Sequence, residues 1–220
     1  MRLYFYYCPS GFSNCYILGT GSAQSETSPQ HGAPRSEAPP QSEAIIIDPG
    51  NMDSEILSHI EDNNFILRGV FITHDHPHHV RGLKTIMRIY DTEIYAINPA
   101  IQEHRTILVK EGEPFNIGPF RAEAISIPGH SADSAVLKID RLLFTGDALT
   151  AGLVGSTASS YAAMTQLTAL RGKILSLPGD YTILPGHGPP SSLEAERRFN
   201  YGIASFDQQK SRRPTFKAIY

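Results

Sequence analysis

The chain has no tryptophan, and its 220 residues include only two cysteines, Cys8 and Cys15. Two thiols do not make a disulfide framework, so a packed apolar core must hold the fold and a reducing compartment is the default expectation. No run approaches the ~20 apolar residues that a membrane span requires. Basic clusters are missing too: 19 Lys and Arg stand against 22 Asp and Glu, giving a net charge of -3. Scattered charge of that kind gives no reason to expect nucleic acid or an anionic membrane as partner. The opening Met1–Tyr7 has one positive charge, is broken soon after by Pro9, Ser10 and Gly11, and lacks a small-residue cleavage site, so it does not read as an export signal. A cytoplasmic, soluble protein acting on a small molecule is the expectation, with the oligomeric state left open.

With 40% hydrophobic and 19% charged residues the composition is that of a globular protein, and the length suits a single domain over 1–220. Leu3–Tyr7 and Asn14–Leu18 read as strands joined by a turn at Pro9–Gly11. The tract 19–43 is rich in Ser, Pro, Gln and Ala, has no aliphatic run, and is expected to be a disordered loop insertion. Ala44–Ile47 is a strand. A helix follows over Asp53–Asp62, with Ile56, Leu57 and Ile60 on one side. Arg68–Thr73 is a strand, and His79–Tyr90 has the spacing of a helix. Glu93–Ile97 is a short strand and Pro99–Glu103 a helical turn. The later half turns strand-rich (Thr106–Val109, Arg121–Ile127, Ala135–Ile139, Leu142–Thr145). A helix over Ala162–Leu175, a strand over Thr182–Leu184 and a helix over Ser191–Tyr201 complete the pattern, with a short helical tail. Strands and helices in two roughly similar halves fit an α/β protein of layered sheets covered by helices.

The feature that bears on chemistry is Thr73-His74-Asp75-His76-Pro77-His78-His79. Four of the nine histidines fall within six residues, directly after the apolar run Val70-Phe71-Ile72. Imidazole is the commonest protein ligand for zinc and also suits iron, copper and nickel. Three further segments repeat one arrangement, an apolar strand followed by a tight turn that presents a polar side chain. Pro128-Gly129 presents His130, Thr145-Gly146 presents Asp147, and Pro185-Gly186 presents His187, followed by Gly188. Strand ends are also where open α/β sheets place their sites.

His74-x-His76-x-x-His79 with those three turns resembles the metallo-β-lactamase fold superfamily. Phe144-Thr145-Gly146-Asp147-Ala148-Leu149 and Leu184-Pro185-Gly186-His187-Gly188 are most similar to its hydroxyacylglutathione hydrolase (glyoxalase II) branch. The resemblance implies an αββα sandwich of two mixed sheets flanked by helices and a two-metal site. It assigns one ion to His74, His76 and His130 and the other to His79 and His187, with Asp147 bridging. Two zinc ions are expected, iron or manganese being alternatives, with a bridging hydroxide that cleaves a small thioester or ester. Asp48, in Asp48-Pro49-Gly50, matches a position that supports the site from behind and orients a ligand imidazole.

One departure matters. The family motif is His-x-His-x-Asp-His, and His78 stands where the Asp belongs. His78 is assigned with Asp147 to the catalytic set and to the second metal, but as a neutral ligand it removes one anion from the cage. That shifts the second site towards nitrogen-preferring metals and weakens proton delivery to a leaving group. Thioesters are then favoured over amides, because a thiolate leaves without a proton. Two alternatives stay open: a mononuclear iron sulfur-dioxygenase of the same fold, and a non-catalytic metal-binding pseudoenzyme. Arg197, Arg198, Lys210, Arg212 and Arg213 read as a solvated helix face and tail rather than a glutathione clamp, and Tyr161 as core.

Overall fold

The computed structural model describes residues 1–21 and 42–211. The expected insertion therefore lies mostly outside the described residues, as does the end of the tail. The chain forms two compact units, Met1–Val109 with Phe115–Arg121, and Lys110–Pro114 with Ala122–Tyr220.

In the first unit the elements are β1 (Arg2–Cys8), β2 (Ser13–Gly19), β3 (Ser42–Ile47), α1 (Ser54–Asp62), β4 (Phe65–Phe71), α2 (Pro77–Val80), α3 (Leu83–Ile89), β5 (Ile94–Ala96), β6 (Ala100–Ile101), β7 (His104–Arg105) and β8 (Ile107–Leu108). A mixed sheet runs in the order β1-β2-β3-β4-β5-β8. β1, β2 and β3 pair antiparallel, while β3, β4, β5 and β8 are parallel. Parallel neighbours need crossovers, and α1 and then α2 with α3 supply them. One face of the sheet offers Ile17, Ala44, Ile46, Val70 and Ile72, which form a single core with Ile56 and Ile60 of α1, Val80 of α2, and Leu83 and Ile86 of α3. The Asp53 carboxylate caps α1 by accepting from the Ile56 N–H at 3.1 Å.

The short strand β9 (Pro114–Ile117) follows. The second unit holds β10 (Phe120–Ser126) from Ala122 on, β11 (Ala135–Ile139), β12 (Leu142–Gly146), β13 (Leu149–Thr150), β14 (Leu153–Val154), α4 (Ser160–Ala169), a π-helical turn over Leu170–Leu175, β15 (Thr182–Pro185), β16 (Ser191–Ser192), α5 (Leu193–Phe199) and α6 (Tyr201–Ser211). β10, β11 and β12 are antiparallel neighbours, β12 and β15 are parallel, and β16 returns antiparallel on β15. Leu170 and Ile174 of the π-turn and Leu193 of α5 pack on Ile125, Val136, Leu143 and Ile183.

Most strands fall where the sequence places them, and the differences have physical causes. The tract 19–43 is shorter than composition suggests: Gly19 pairs with Ala44, and Ser42 and Glu43 pair with Phe65 and Ile66. Pro99–Glu103 is not a helical turn but part of the β6–β7 hairpin, whose turn is held by the Gln102 N–H donating to the Asp75 carboxylate at 3.0 Å. The expected helix over His79–Tyr90 is two helices, because the Gly82 N–H donates to the Pro49 carbonyl at 2.7 Å. A side chain at Gly82 would press on that carbonyl at 2.6 Å, so glycine lets the helix junction sit this close. The helix over Ala162–Leu175 changes to π geometry at Leu170. Among the described residues no helix is long and apolar enough to cross a membrane.

Candidate metal-binding site

The first unit builds one set of donors from the ends of β3 and β4. Asp48 follows β3 in a left-handed conformation (φ 51°) and is 2% exposed. One carboxylate oxygen accepts from the Thr73 N–H at 2.8 Å, and the other accepts from the Thr73 hydroxyl at 2.7 Å. Nδ1 of His79 lies 3.1 Å from that second oxygen. A carboxylate can only accept, so this contact places the proton of neutral His79 on Nδ1 and the lone pair on Nε2. The Thr73 hydroxyl spends its proton on Asp48, so towards His74 Nδ1, 3.1 Å away, it acts as acceptor. His74 is thereby set in the same tautomer, inferred from the network as histidine protons always are. His74 and His79 are 1% and 0% exposed, and the His74 ring lies 4.6 Å from that of His76 and 4.3 Å from that of His79. Three imidazoles so close, two with Nε2 lone pairs fixed by buried acceptors, are side chains that could hold metal.

The second unit builds the other set from the turns after β10, β12 and β15. Nδ1 of His130 donates to the Ser156 carbonyl at 2.8 Å, which leaves its lone pair on Nε2. That Nε2 lies 3.5 Å from Asp147 Oδ2, and Nε2 of His187 lies 3.5 Å from the same oxygen. A lone pair facing an anion at this distance is repulsive unless a proton or a metal ion stands between them. The spacing is longer than a charge-assisted hydrogen bond of ~2.7–2.9 Å. It is close to the ~3.4 Å edge of a tetrahedron built on zinc–ligand bonds of about 2.0–2.2 Å. The donor set therefore fits a metal ion.

Backbone geometry delivers these side chains. Gly129 has φ 148°, and a Cβ there would lie 2.4 Å from Cβ of Gln166, so only glycine permits the turn before His130. A Cβ on Gly155 would run into the Asp147 carbonyl at 1.8 Å. The Gly186 N–H donates to the Gly146 carbonyl at 2.8 Å, tying the turn of His187 to that of Asp147.

His78 sits in α2 and is exposed. Its ring lies beside Gly11 of the β1–β2 turn, where an added Cβ would come 2.7 Å from Nδ1, and its carbonyl accepts from the Ser13 hydroxyl at 2.6 Å. Sequence reading missed three supports. Thr73 was legible only as a residue next to the motif. Ser156 acts through its carbonyl, which has no signature in sequence. Glu196 of α5, 2% exposed, accepts from the Gly152 N–H at 3.0 Å, from Asn200 Nδ2 at 2.6 Å and from the Ser191 hydroxyl at 2.5 Å, bracing the β13–β14 hairpin that follows Asp147. Two expectations are corrected. Tyr161 is 81% exposed and is not core. Arg197 is not a solvated charge: its guanidinium donates to the carbonyls of Leu175, Leu177 and Gly179 and closes the end of the π-turn.

A family model for the metallo-beta-lactamase superfamily matches residues 40–187. Among curated proteins, hydroxyacylglutathione hydrolase from Francisella tularensis (strain WY96-3418) is 34% identical over 67% of this chain and 59% of its own length. The protein of the same name from Hahella chejuensis is 29% identical over 67% of this chain and 58% of its own. The chain thus spans about three-fifths of the length of the curated relatives it matches. Among solved structures, ETHE1 from Myxococcus xanthus superposes with a TM-score of 0.77 at 20% identity, covering 98% of this chain and 93% of the other. The BLEG-1 B3 metallo-beta-lactamase gives 0.73 at 19% identity, covering 92% and 99%. At such identities the structures show a shared fold.

Proposed function

The chain belongs to the metallo-beta-lactamase superfamily, and on that premise we propose that it is a metal-dependent hydrolase that cleaves a small thioester or ester at a two-metal site. The ligand set that the family resemblance implies is His74, His76 and His130 for one ion, His79 and His187 for the other, and Asp147 for both. His78 is proposed as a further ligand of the second ion. The observation that carries the reading is the proton order: the Nδ1 atoms of His74, His79 and His130 each face an acceptor, so their lone pairs sit on Nε2.

A metal bound there would polarise a carbonyl and lower the pKa of a bound water towards ~7. The residues of the chain supply the rest. Asp48 and Thr73 hold two imidazoles in register, Ser156 holds a third, and Asp147 contributes the only carboxylate of the proposed set. Without the usual Asp at position 78, proton delivery to a leaving group is weak. A thiolate needs none, and the Francisella tularensis relative, 34% identical, carries the name hydroxyacylglutathione hydrolase.

The test is metal content of the purified protein by elemental mass spectrometry, with zinc and iron both supplied, followed by hydrolysis of S-lactoylglutathione and of simpler acyl thioesters. Close to two zinc ions per chain with thioester cleavage is expected. About one iron, with oxygen consumed on a persulfide and no thioester cleavage, would replace the reading with the sulfur-dioxygenase one. Metal bound with neither activity would leave a binding protein.

A further inference from the structure

The edges of the sheets differ sharply. β8, which closes one side of the first sheet, and β16, at an edge of the second unit, are each two residues long. Short edge strands are one way in which proteins avoid pairing with other chains. β1 is an edge strand of seven residues, and among the described residues no strand lies on its outer side. Within the strand itself it has none of the usual protection. Its register on β2 is unbroken from Arg2 to Cys8, so it carries no bulge, and it contains no Pro, no Lys and a single charge, Arg2 at its end.

Its side chains make the edge more adhesive. Tyr4 and Tyr6 point to the α1 side, where they pack on His59 with ring centroids 4.2 and 5.6 Å apart. Leu3, Phe5 and Tyr7 alternate onto the opposite face and are 38%, 47% and 52% exposed. A bare backbone edge beside an apolar strip is a template for another strand.

We propose that two copies of the chain pair antiparallel through β1 across a two-fold axis at Phe5, joining their sheets into one. The strand selects this partner and register. A second copy covers both edges at once through an isologous contact, the commonest oligomer symmetry. All seven residues overlap only when Phe5, the midpoint of Arg2–Cys8, faces its own counterpart. Leu3 then lies opposite Tyr7 and Tyr4 opposite Tyr6, so each face meets its like and the two apolar strips become neighbours. Aromatic side chains offer ~150–250 Å² each, so the exposed parts of Leu3, Phe5 and Tyr7 supply roughly 250–300 Å² per copy before the backbone and flanks are counted. That total stays below the ~800 Å² per partner of a standard interface, which makes this a reversible dimer rather than an obligate one.

The test uses the full chain in sedimentation velocity between roughly 1 and 100 μM, concentrations chosen for a small interface. Mass is expected to rise towards twice that of one chain, and Phe5→Lys is expected to weaken association at least tenfold. Phe5 is half exposed, so that variant should keep its thermal midpoint. Cross-linking reads the register independently. Facing residues of an antiparallel pair have Cα atoms ~4.5–5.5 Å apart, within disulfide reach. Phe5→Cys should therefore form a covalent dimer under mild oxidation, while Cys8 and Cys15, both 0% exposed, stay out of the reaction. Two copies of Tyr7→Cys would be offset by four residues, roughly 14 Å, and should not cross-link. A monomer across the whole range, Phe5→Lys dimerising like the parent, or Tyr7→Cys cross-linking as readily as Phe5→Cys would each overturn the proposal. Its outcome is independent of metal content and of hydrolysis.

Discussion

Asp48 Oδ2 and His79 Nδ1 lie 3.1 Å apart across 31 positions of sequence, both buried. The pair links the left-handed residue after β3 to the last histidine of the motif, and through Thr73 to the first. Asp48→Asn keeps the size, and asparagine tolerates the left-handed backbone, but the anion is gone. Metal retention is expected to weaken by about 10–100-fold in competition with a chelator, with little change in far-UV circular dichroism. Retention equal to the parent would remove Asp48 from the support of the ligands.

His78→Asp restores the carboxylate that the family motif carries. An added anion should tighten the second ion, by about tenfold or more, and raise thioester hydrolysis, the size being that of typical changes around ligands. Stoichiometry after dialysis against a weak chelator reads the first effect directly. If stoichiometry and rate both stay level, position 78 lies outside the ligand set.

Glu196 is a buried carboxylate held by neutral donors. Glutamine would keep one acceptor oxygen for the Gly152 N–H and Asn200 Nδ2 and turn its NH2 group on Ser191, whose hydroxyl proton then loses its acceptor. A donor left unsatisfied costs about 1–3 kcal/mol, so Glu196→Gln should lower stability by about 2 kcal/mol in urea unfolding. An unchanged midpoint would mean that the β13–β14 hairpin does not depend on this carboxylate.

His59 sits among Tyr4, Tyr6 and Phe65, and burial lowers its pKa from the ordinary histidine value, against a smaller opposing pull from Asp62. The unfolded chain takes up the proton near pH ~6.5, the folded one only at lower pH. Between these values the unfolded state holds more protons, so this group costs stability as pH falls from ~6.5 through the folded pKa and costs none above it. His59→Phe removes the cost. The urea midpoint of the variant should gain on that of the parent between pH 7 and 5, and a gap independent of pH would show that His59 titrates alike in both states.

Much of the candidate site was legible because its signals are local. Each of the turns before His130, Asp147 and His187 joins a strand of apolar residues, one or two small or rigid residues and a candidate ligand, all within a few positions of chain. The strand Ala135–Ile139 was placed to the residue because a short apolar run between turn residues leaves few other readings. The misses share the opposite character. The β6–β7 hairpin depends on Asp75 reaching the Gln102 N–H, and the helix break at Gly82 depends on the Pro49 carbonyl. Arg197 looked like surface charge because nothing in its neighbourhood of sequence shows the carbonyls of Leu175, Leu177 and Gly179.

Residue types, spacing and period thus determined by themselves which side chains offer metal-binding chemistry and which segments are strands or helices. The family resemblance added, through Asp48-Pro49-Gly50, a carboxylate behind the candidate ligands. Only the tertiary structure decided which nitrogen of His74, His79 and His130 carries its proton, that among the described residues β1 is left as a bare edge, and which charges are structural. The reason is physical: periodicity and turn chemistry act between near neighbours in the chain, whereas hydrogen bonds and sheet edges join residues that the sequence keeps tens of positions apart.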